Sequence, residues 1–226
     1  NKTWATKVGS TLAYNDENGN YKPLPFAFTR STSATRVNKQ GLIEVVTNDR
    51  PRIDYTDTSD GVLLLEKAAT NNILYSQKIS LTPVKNGTFV DNFAISPDGT
   101  QNSTKLTATT ADPYFYQNVT FAAGDYTASL YVKGIGDSIG KDFRFAIGGN
   151  TDTVNKNKIT SEWTRFSYTA TMNAGTQSTG LEITDPAVVG DEILVWGWQV
   201  ENNSVASSYI PTQGSASTRV AETANG

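Results

Sequence analysis

The sequence predicts an all-β protein: an antiparallel β-sandwich of about eight strands, a jelly roll, preceded by an extended N-terminal segment with short strands. Three observations predict this fold class. Apolar and polar residues alternate over short stretches in the second half of the chain, and turn-forming residues separate these stretches. No stretch carries the 3.6-residue period of an amphipathic helix.

The predicted strands of the sandwich follow one another from residue 88 onwards. They are separated by clusters rich in Gly, Pro, Asn and Asp, which tolerate the backbone angles of tight turns. The predicted spans are 88–95, 103–109, 114–121, 126–133, 143–147, 163–171, 180–184 and 192–201.

The pattern divides the chain into an N-terminal segment, a sandwich and a C-terminal tail. Before the sandwich the apolar runs are short and interrupted by charged or Pro-containing stretches, so we expect extended chain that packs on the sandwich or on neighbouring subunits. After it, Tyr209 and Ile210 are expected to anchor an extended tail. The predicted boundaries are 1–76, 77–203 and 204–226.

Composition excludes several classes of function. The chain has no Cys and no His, which removes thiol nucleophiles, zinc sites built on those ligands and the usual general base near neutral pH. Its 19 basic and 22 acidic residues are spread along the chain, and no apolar run approaches the length of a membrane span. No pair of carboxylates stands out as a catalytic pair. We therefore expect no enzyme activity, no nucleic-acid partner and no membrane insertion.

Several segments carry a likeness to predicted phage structural proteins. They lie near the two ends of the chain: Phe28-Thr29-Arg30, Ala34-Thr35-Arg36-Val37-Asn38, Gly41-Leu42-Ile43-Glu44, Pro51-Arg52-Ile53-Asp54-Tyr55, Leu63-Leu64-Leu65-Glu66, Thr70-Asn71-Asn72, Trp196-Gly197, Gln199-Val200-Glu201, Ser208-Tyr209-Ile210-Pro211-Thr212 and Thr218-Arg219. In these segments the chain resembles virion proteins of the tail or fibre type. The resemblance implies a place on the phage particle after assembly in the bacterial cytoplasm, among other virion subunits, with a homotrimer as one possible assembly.

Two stretches between these segments resemble jelly-roll carbohydrate-binding modules of the xylan- and glucan-binding kind. They are residues 123–133 and 163–166. The resemblance implies a structural calcium, which such modules bind near an Asp of the last strand. In this sequence the comparable position is Trp196. No cofactor is therefore predicted. Oxygen ligands for calcium would otherwise come from Asp98 beside Gly99, or from Asp91 beside Asn92.

The candidate ligand site is the set of side chains that points away from the predicted core. Aromatic rings stack on the apolar faces of sugars, while amides and charged groups bond their hydroxyls. The alternative is a solvated sheet face with ordinary cross-strand pairs, in which Trp163 only plugs the end of the sandwich. The predicted glycan-binding residues are Tyr114, Tyr116, Asn118, Tyr131, Lys133, Arg144, Trp163, Arg165, Gln199 and Glu201.

The alternation also predicts which aromatic residues belong to the core. Trp196 and Trp198 are in phase with Leu194 and Val200, so all four are expected to face the interior from one strand.

A cluster of basic residues precedes Tyr55. It comprises Arg30, Arg36, Lys39, Arg50 and Arg52. Such a cluster could bind a polyanion, or its members could pair with nearby carboxylates and hold backbone carbonyls of an irregular segment. The second interpretation is favoured, since Glu44, Asp49 and Asp54 lie within the same stretch.

The sequence thus favours a virion module that recognises a host-surface glycan through one face of the sandwich. Two alternatives stay open: an architectural connector or capsid decoration protein without a ligand, and an accessory domain of a polysaccharide-degrading enzyme.

Overall fold

The fold is that of a computed structural model, and it is almost entirely β-structure. Two 3-10 helices, Ile79–Leu81 and Gly136–Ser138, are the helical turns of the described part, and no helix there is long and apolar enough to cross a membrane. The structure describes residues 4–6, 12–15, 18–23, 27–148, 150–151, 157–184 and 187–225.

The strands are numbered in chain order. They are β1 Trp4–Thr6, β2 Leu12–Asn15, β3 Tyr21–Pro23, β4 Ala27–Thr29, β5 Ala34–Val37, β6 Ile43–Val46, β7 Arg52–Asp54, β8 Val62–Leu64, β9 Ala69–Asn71, β10 Val84–Lys85, β11 Gly87–Val90, β12 Thr104–Ala108, β13 Tyr114–Phe121, β14 Gly124–Ile135, β15 Asp142–Ile147, β16 Asn150–Thr151, β17 Asn157–Lys158, β18 Thr164–Met172, β19 Gly175–Ile183, β20 Glu192–Glu201, β21 Ser217–Arg219 and β22 Thr223–Asn225.

The chain forms two compact units whose boundaries differ from the predicted ones. The first contains residues 1–69, 207–210 and 218–226, and the second contains 70–206 and 211–217. The sandwich unit starts earlier than expected because the chain after β9 bonds along β20. Asn72 donates its backbone N–H to the Val200 carbonyl at 2.9 Å, and Trp198 donates its own to the Ser76 carbonyl at 2.9 Å.

The second unit is the predicted antiparallel sandwich. One sheet has the order β10-β13-β19-β15-β16, with β17 also pairing with β15, and the other has the order β11-β12-β20-β14-β18. From β13 to β20 the long strands alternate between the two sheets, which is the connectivity of a jelly roll. All eight predicted strands are present, although β19 begins at Gly175 and not at residue 180.

Aromatic side chains join the two sheets across the core. Phe115 of the six-stranded sheet meets Trp198 of the five-stranded sheet edge to face, with ring centroids 5.1 Å apart. Phe143 and Phe166 make a similar contact at 4.9 Å. Edge-to-face pairs add about 0.5–1.5 kcal/mol each to the free energy of burying the rings. Trp198 therefore faces the interior of the sandwich, as predicted.

Trp196 and Leu194 do not face this core, and that part of the prediction is wrong. The pairing of β14 with β20 shifts register between Ser129 and Tyr131, and Gly197 sits there at φ 71°. An extra residue in a strand reverses the facing of the side chains beyond it. Trp198 and Val200 thus join the core cluster, whereas Trp196 lies on the outer face beside Tyr131, with ring centroids 5.7 Å apart.

The first unit consists of small antiparallel ladders. β1, β2 and β3 form a three-stranded sheet, and the strand pairs are β4 with β22, β5 with β6, and β7 with β8. Its buried apolar residues are few, and Tyr209 and Ile210 are among them, as the sequence predicts. Three arginines are also buried there: Arg30, Arg52 and Arg219, each at most 1% exposed.

Candidate functional site

The ten predicted ligand-binding residues lie on two different sheets. Tyr114, Tyr116 and Asn118 belong to β13 and Arg144 to β15, so these four share the outer face of the six-stranded sheet. The other six lie on or beside strands of the five-stranded sheet, on β14, β18 and β20. Alternation identifies outward-facing residues, but it cannot say which sheet they belong to. The ten residues therefore cannot form one site.

Gln199 and Glu201 are buried, so neither contacts a ligand at the surface. Both are 0% exposed, and the Gln199 side-chain amide donates to the Glu201 carboxylate at 2.7 Å. Asn203 donates to the other oxygen of the same carboxylate at 2.9 Å. Their outward phase was predicted correctly, but they are structural residues.

The remaining predicted residues of the five-stranded sheet are engaged with their neighbours. The Arg165 guanidinium lies 5.6 Å from the centroid of the Tyr131 ring and donates to the Ser129 hydroxyl at 2.9 Å. Lys133 lies 3.7 Å from the exposed carboxylate of Glu162. Trp163 donates its indole N–H to the Ile95 carbonyl at 2.9 Å, which fits the alternative of a plug at the end of the sandwich. Among the described residues, the four side chains Tyr131, Lys133, Trp163 and Arg165 are thus all engaged with neighbouring groups.

A groove of about 370 Å³ lies on the outer face of the six-stranded sheet. Tyr114 and Tyr116 form one side, with ring centroids 6.0 Å apart and planes inclined by 34°. Tyr116 pairs with Gly180 of β19, which in turn pairs with Ala146 of β15, so these three residues form one row across the sheet. The small residues of this row leave the space that the tyrosines border.

Gly180 is required at the floor of the groove by the close approach of β13. A Cβ atom on Gly180 would lie 1.9 Å from the Phe115 carbonyl oxygen, which no side chain permits. Sequence analysis missed Gly180, Ala146, Ser178 and Glu182, all of which line the groove. A glycine inside a strand is a known sign of close backbone approach, and this signal was available.

A charged pair lies in the row next to the floor. Tyr114 pairs with Glu182, and Glu182 pairs with Arg144. The Glu182 carboxylate accepts from Nε of Arg144 at 2.8 Å and lies 2.7 Å from its Nη2, through one and the same oxygen, Oε2. The carboxylate is thus held in place by Arg144, and its polar surface faces a groove bordered by two rings.

The two carboxylates considered as calcium ligands, Asp98 and Asp91, already accept hydrogen bonds from neighbouring residues. Asp98 accepts from the Thr100 backbone N–H at 2.8 Å and from the Asn102 amide at 3.0 Å. Burial would raise the pKa of Asp98, but the hydrogen bonds from Thr100, Ser96 and Asn102 hold it below its usual value. Asp91 accepts from the hydroxyls of Ser80 and Thr104. Within the described residues no group of three acidic side chains could hold a metal ion.

Two arginines of the basic cluster, Arg30 and Arg52, are buried in the first unit, where they hold backbone carbonyls as expected but pair with the sequence-distant Glu222. Arg30 donates to four backbone carbonyls, those of Thr32, Val46, Thr47 and Arg50, and to Glu222 at 2.6 Å. Arg36, at the surface, lies 2.6 Å from Glu44. The contacts fix an irregular segment, and the buried guanidinium groups are not a polyanion groove.

Glu66 and Glu222 are carboxylates that pair with these buried arginines. Arg52 donates two parallel hydrogen bonds to the Glu222 carboxylate, from Nε to Oε1 at 2.7 Å and from Nη2 to Oε2 at 2.5 Å. Its Nη2 also donates to Glu66 at 2.8 Å, and Arg219 lies 3.1 Å from the same Glu66 oxygen. Three arginines and two glutamates thus form one buried ionic cluster, which we call the Arg–Glu cluster.

Thermal stability of the first unit is expected to fall below about pH 4 through Glu66. Burial would raise the pKa of Glu66, but the Arg219 charge, hydrogen bonds from Ser208 and the Arg52 charge outweigh it, so the pKa is lowered. A carboxylate whose pKa is lower in the folded state stabilises above its unfolded pKa, and this contribution is lost as the pH falls through the folded value.

Circular dichroism melts between about pH 6 and pH 3 test this expectation. Glu66→Gln should flatten the acid limb of the curve of Tm against pH. An acid limb of unchanged slope in this variant would show that Glu66 is not the group involved.

The fold and the groove define a jelly-roll sandwich with an open aromatic groove on one sheet. No protein-family model matches the chain, and no curated protein matches it. Among solved structures, the module TmCBM61, in complex with β-1,4-galactotriose, is 14% identical over 59% of this chain and 99% of that chain, with a TM-score of 0.45.

Two further solved structures show a comparable likeness. The CBM22-1 xylan-binding domain of Paenibacillus barcinonensis Xyn10C is 19% identical over 61% of this chain and 94% of that chain, with a TM-score of 0.42. The enzymatically active domain of bacteriophage CBA120 tailspike protein 4 is 12% identical over 57% of this chain and 21% of that chain, with a TM-score of 0.41. A structural similarity of this degree does not show which ligand this chain binds.

Proposed function

We propose that the sandwich unit is a non-catalytic carbohydrate-binding domain, and that the groove beside Tyr114 and Tyr116 receives a host-surface glycan. The observation that carries this proposal is the row of small residues next to two adjacent tyrosine rings. Sugar rings have flat apolar C–H faces that pack on aromatic rings, and their hydroxyls need nearby polar groups. The two tyrosines supply the aromatic rings. Glu182, held by Arg144, supplies a hydrogen-bond acceptor for the sugar hydroxyls.

The shape of the groove supports a chain of sugars more than a single small molecule. It is open along the sheet surface and lies over several strands, with Ser178 and Asn118 in the row beyond Gly180. An elongated ligand could therefore contact both tyrosines at once. Neutral or weakly charged sugars are favoured, because Arg144, which lies beside the groove, is already paired with Glu182.

A glycan array with the whole chain tests the proposal, followed by titration of the best ligand. Ala146→Trp should fill the floor of the groove and weaken binding at least about tenfold. Thr88→Trp adds the same side chain at an exposed position of β11, on the other sheet, and should leave affinity unchanged. Absence of binding to any glycan, or equal loss in both variants, would overturn the proposal.

We also propose that the protein is a tail or fibre component of a phage particle. This part rests on the segments that resemble phage structural proteins. Those segments contain four members of the Arg–Glu cluster: Arg30, Arg52, Glu66 and Arg219. The resemblance to phage proteins therefore includes residues that stabilise the first unit. Mass spectrometry of purified particles tests it, and absence of the polypeptide from them would contradict it.

A further inference from the structure

Strand β18 forms one edge of the five-stranded sheet and is unusually long for an edge strand. It pairs with β14 through nine consecutive residue pairs, from Thr164 opposite Val132 to Met172 opposite Gly124, without a register shift. In the part of the chain that the structure describes, no strand pairs with its other side. A straight row of backbone donors and acceptors therefore lies at this edge.

β18 lacks the features that usually protect such an edge. Natural edge strands are short, bulged, or carry Pro, Lys or other charges that prevent pairing with another chain. The sequence of β18 contains no Pro and no Lys, and Arg165 is its single charged residue. The exposed side chains that alternate along it are the small and uncharged Ser167, Thr169 and Thr171.

The inner side of β18 leaves apolar surface incompletely covered. Phe166 and Tyr168 pack against the core but remain half-exposed, whereas their partners on β14, Leu130 and Ala128, are 0% exposed. The difference arises because β14 has a neighbouring strand on each side and β18 has only one. A further strand beside β18 would bury this remaining area, which is favourable by about 25 cal/mol per Å².

We propose that the edge of β18 docks a second copy of this chain, in an antiparallel pair about a two-fold axis through Tyr168. Tyr168 is the central residue of the nine, so pairing about it uses the whole strand. Residues opposite each other then match in character: Ser167 faces Thr169 of the partner subunit, and Phe166 faces Ala170 of the partner subunit. The one charge, Arg165, faces an uncharged Thr171 of the partner subunit, so no like charges meet.

The absence of like-charge contacts in this register favours a second copy as the occupant. A two-fold interface brings the same segment of both subunits together, and a segment without internal charge conflict is suited to it. An interface of one strand from each chain is small, below the roughly 1,200 Å² of stable complexes, so the dimer should be weak and concentration-dependent. Such a dimer also carries two grooves, which would strengthen attachment to a glycan surface by avidity.

Two double variants of the whole chain test the pairing by sedimentation equilibrium. Ser167→Lys with Thr169→Lys places lysines opposite lysines and should weaken dimerisation at least about tenfold. Ser167→Lys with Thr169→Glu places lysine opposite glutamate and should dimerise at least as tightly as the wild type. Both variants lose the same contacts of Thr169, to the hydroxyl of Thr127 and the carbonyl of Ser204, so this loss is common to the two.

Hydrogen exchange on the wild type gives a second readout that needs no variant. The outward amides of β18 should exchange more slowly as the protein concentration rises through the dimerisation range. A wild type that stays monomeric at millimolar concentration, equal dimerisation of the two variants, or exchange in β18 that is independent of concentration would each overturn the proposal.

Discussion

Glu222→Ala is expected to lower the free energy of unfolding of the first unit by about 3–5 kcal/mol, because it removes the carboxylate that the buried Arg30 donates to and leaves the buried Arg52 with Glu66 alone. Glu222 is fully buried, and it accepts from Arg30 at 2.6 Å and from Arg52 at 2.5 and 2.7 Å. Burial would lower the pKa of Arg52, but its contacts with Glu222 and Glu66 raise it above the usual value. A guanidinium keeps its charge even when buried, so neither arginine of the variant escapes the penalty by losing its proton.

The matched control is Glu44→Ala. Glu44 also pairs with an arginine at 2.6 Å, Arg36, but its side chain is 38% exposed. Water can solvate the partner after the substitution, so the expected loss is within about 1 kcal/mol. Urea denaturation of both variants measures the difference. A Glu222 variant as stable as the Glu44 variant would contradict the view that the Arg–Glu cluster takes the place of an apolar core in this unit.

Replacement of both groove tyrosines by alanine is expected to weaken glycan affinity about 100-fold, or about 3 kcal/mol. The estimate allows about 1.5 kcal/mol for each ring that buries its face against a sugar. Calorimetric titration of Tyr114→Ala with Tyr116→Ala measures it. Both side chains point away from the core and are half-exposed, so the double variant should keep its fold.

The control for this prediction keeps the rings and removes only the hydroxyls. Tyr114→Phe with Tyr116→Phe should bind within about fivefold of the wild type if stacking supplies most of the affinity. The alanine pair retaining wild-type affinity would exclude the groove as the binding site. A phenylalanine pair that binds as poorly as the alanine pair would instead assign recognition to the tyrosine hydroxyls.

The strands were predictable where apolar residues alternate with polar ones. The span of β13, residues 114–121, is observed as predicted, because Phe115, Val119 and Phe121 keep the period of two. The first half of β19 was missed because its sequence, Gly-Thr-Gln-Ser-Thr, has no apolar residue to set a phase. Pairing with β13 makes it a strand, and that contact lies more than 50 residues away in the chain.

The site was only partly predictable for a related reason. Tyr114, Tyr116 and Arg144 were identified from their outward phase and do border or adjoin the groove. Gly180 and Ala146 were not, because a small residue has no chemistry of its own that marks a site. Their role comes from the position of β19 between β13 and β15.

Local sequence determined the all-β class, the approximate strands and the side-chain phase along the strands without a bulge, since these depend on neighbours within a few residues. Only the tertiary structure decided which sheet each strand joins, where Gly197 reverses the phase of β20, and that Gln199 and Glu201 are buried. The same holds for the Arg–Glu cluster, in which Arg30 and Glu222 meet across 192 positions of the chain. Such contacts depend on chain topology, which the alternation of side chains along one strand does not encode.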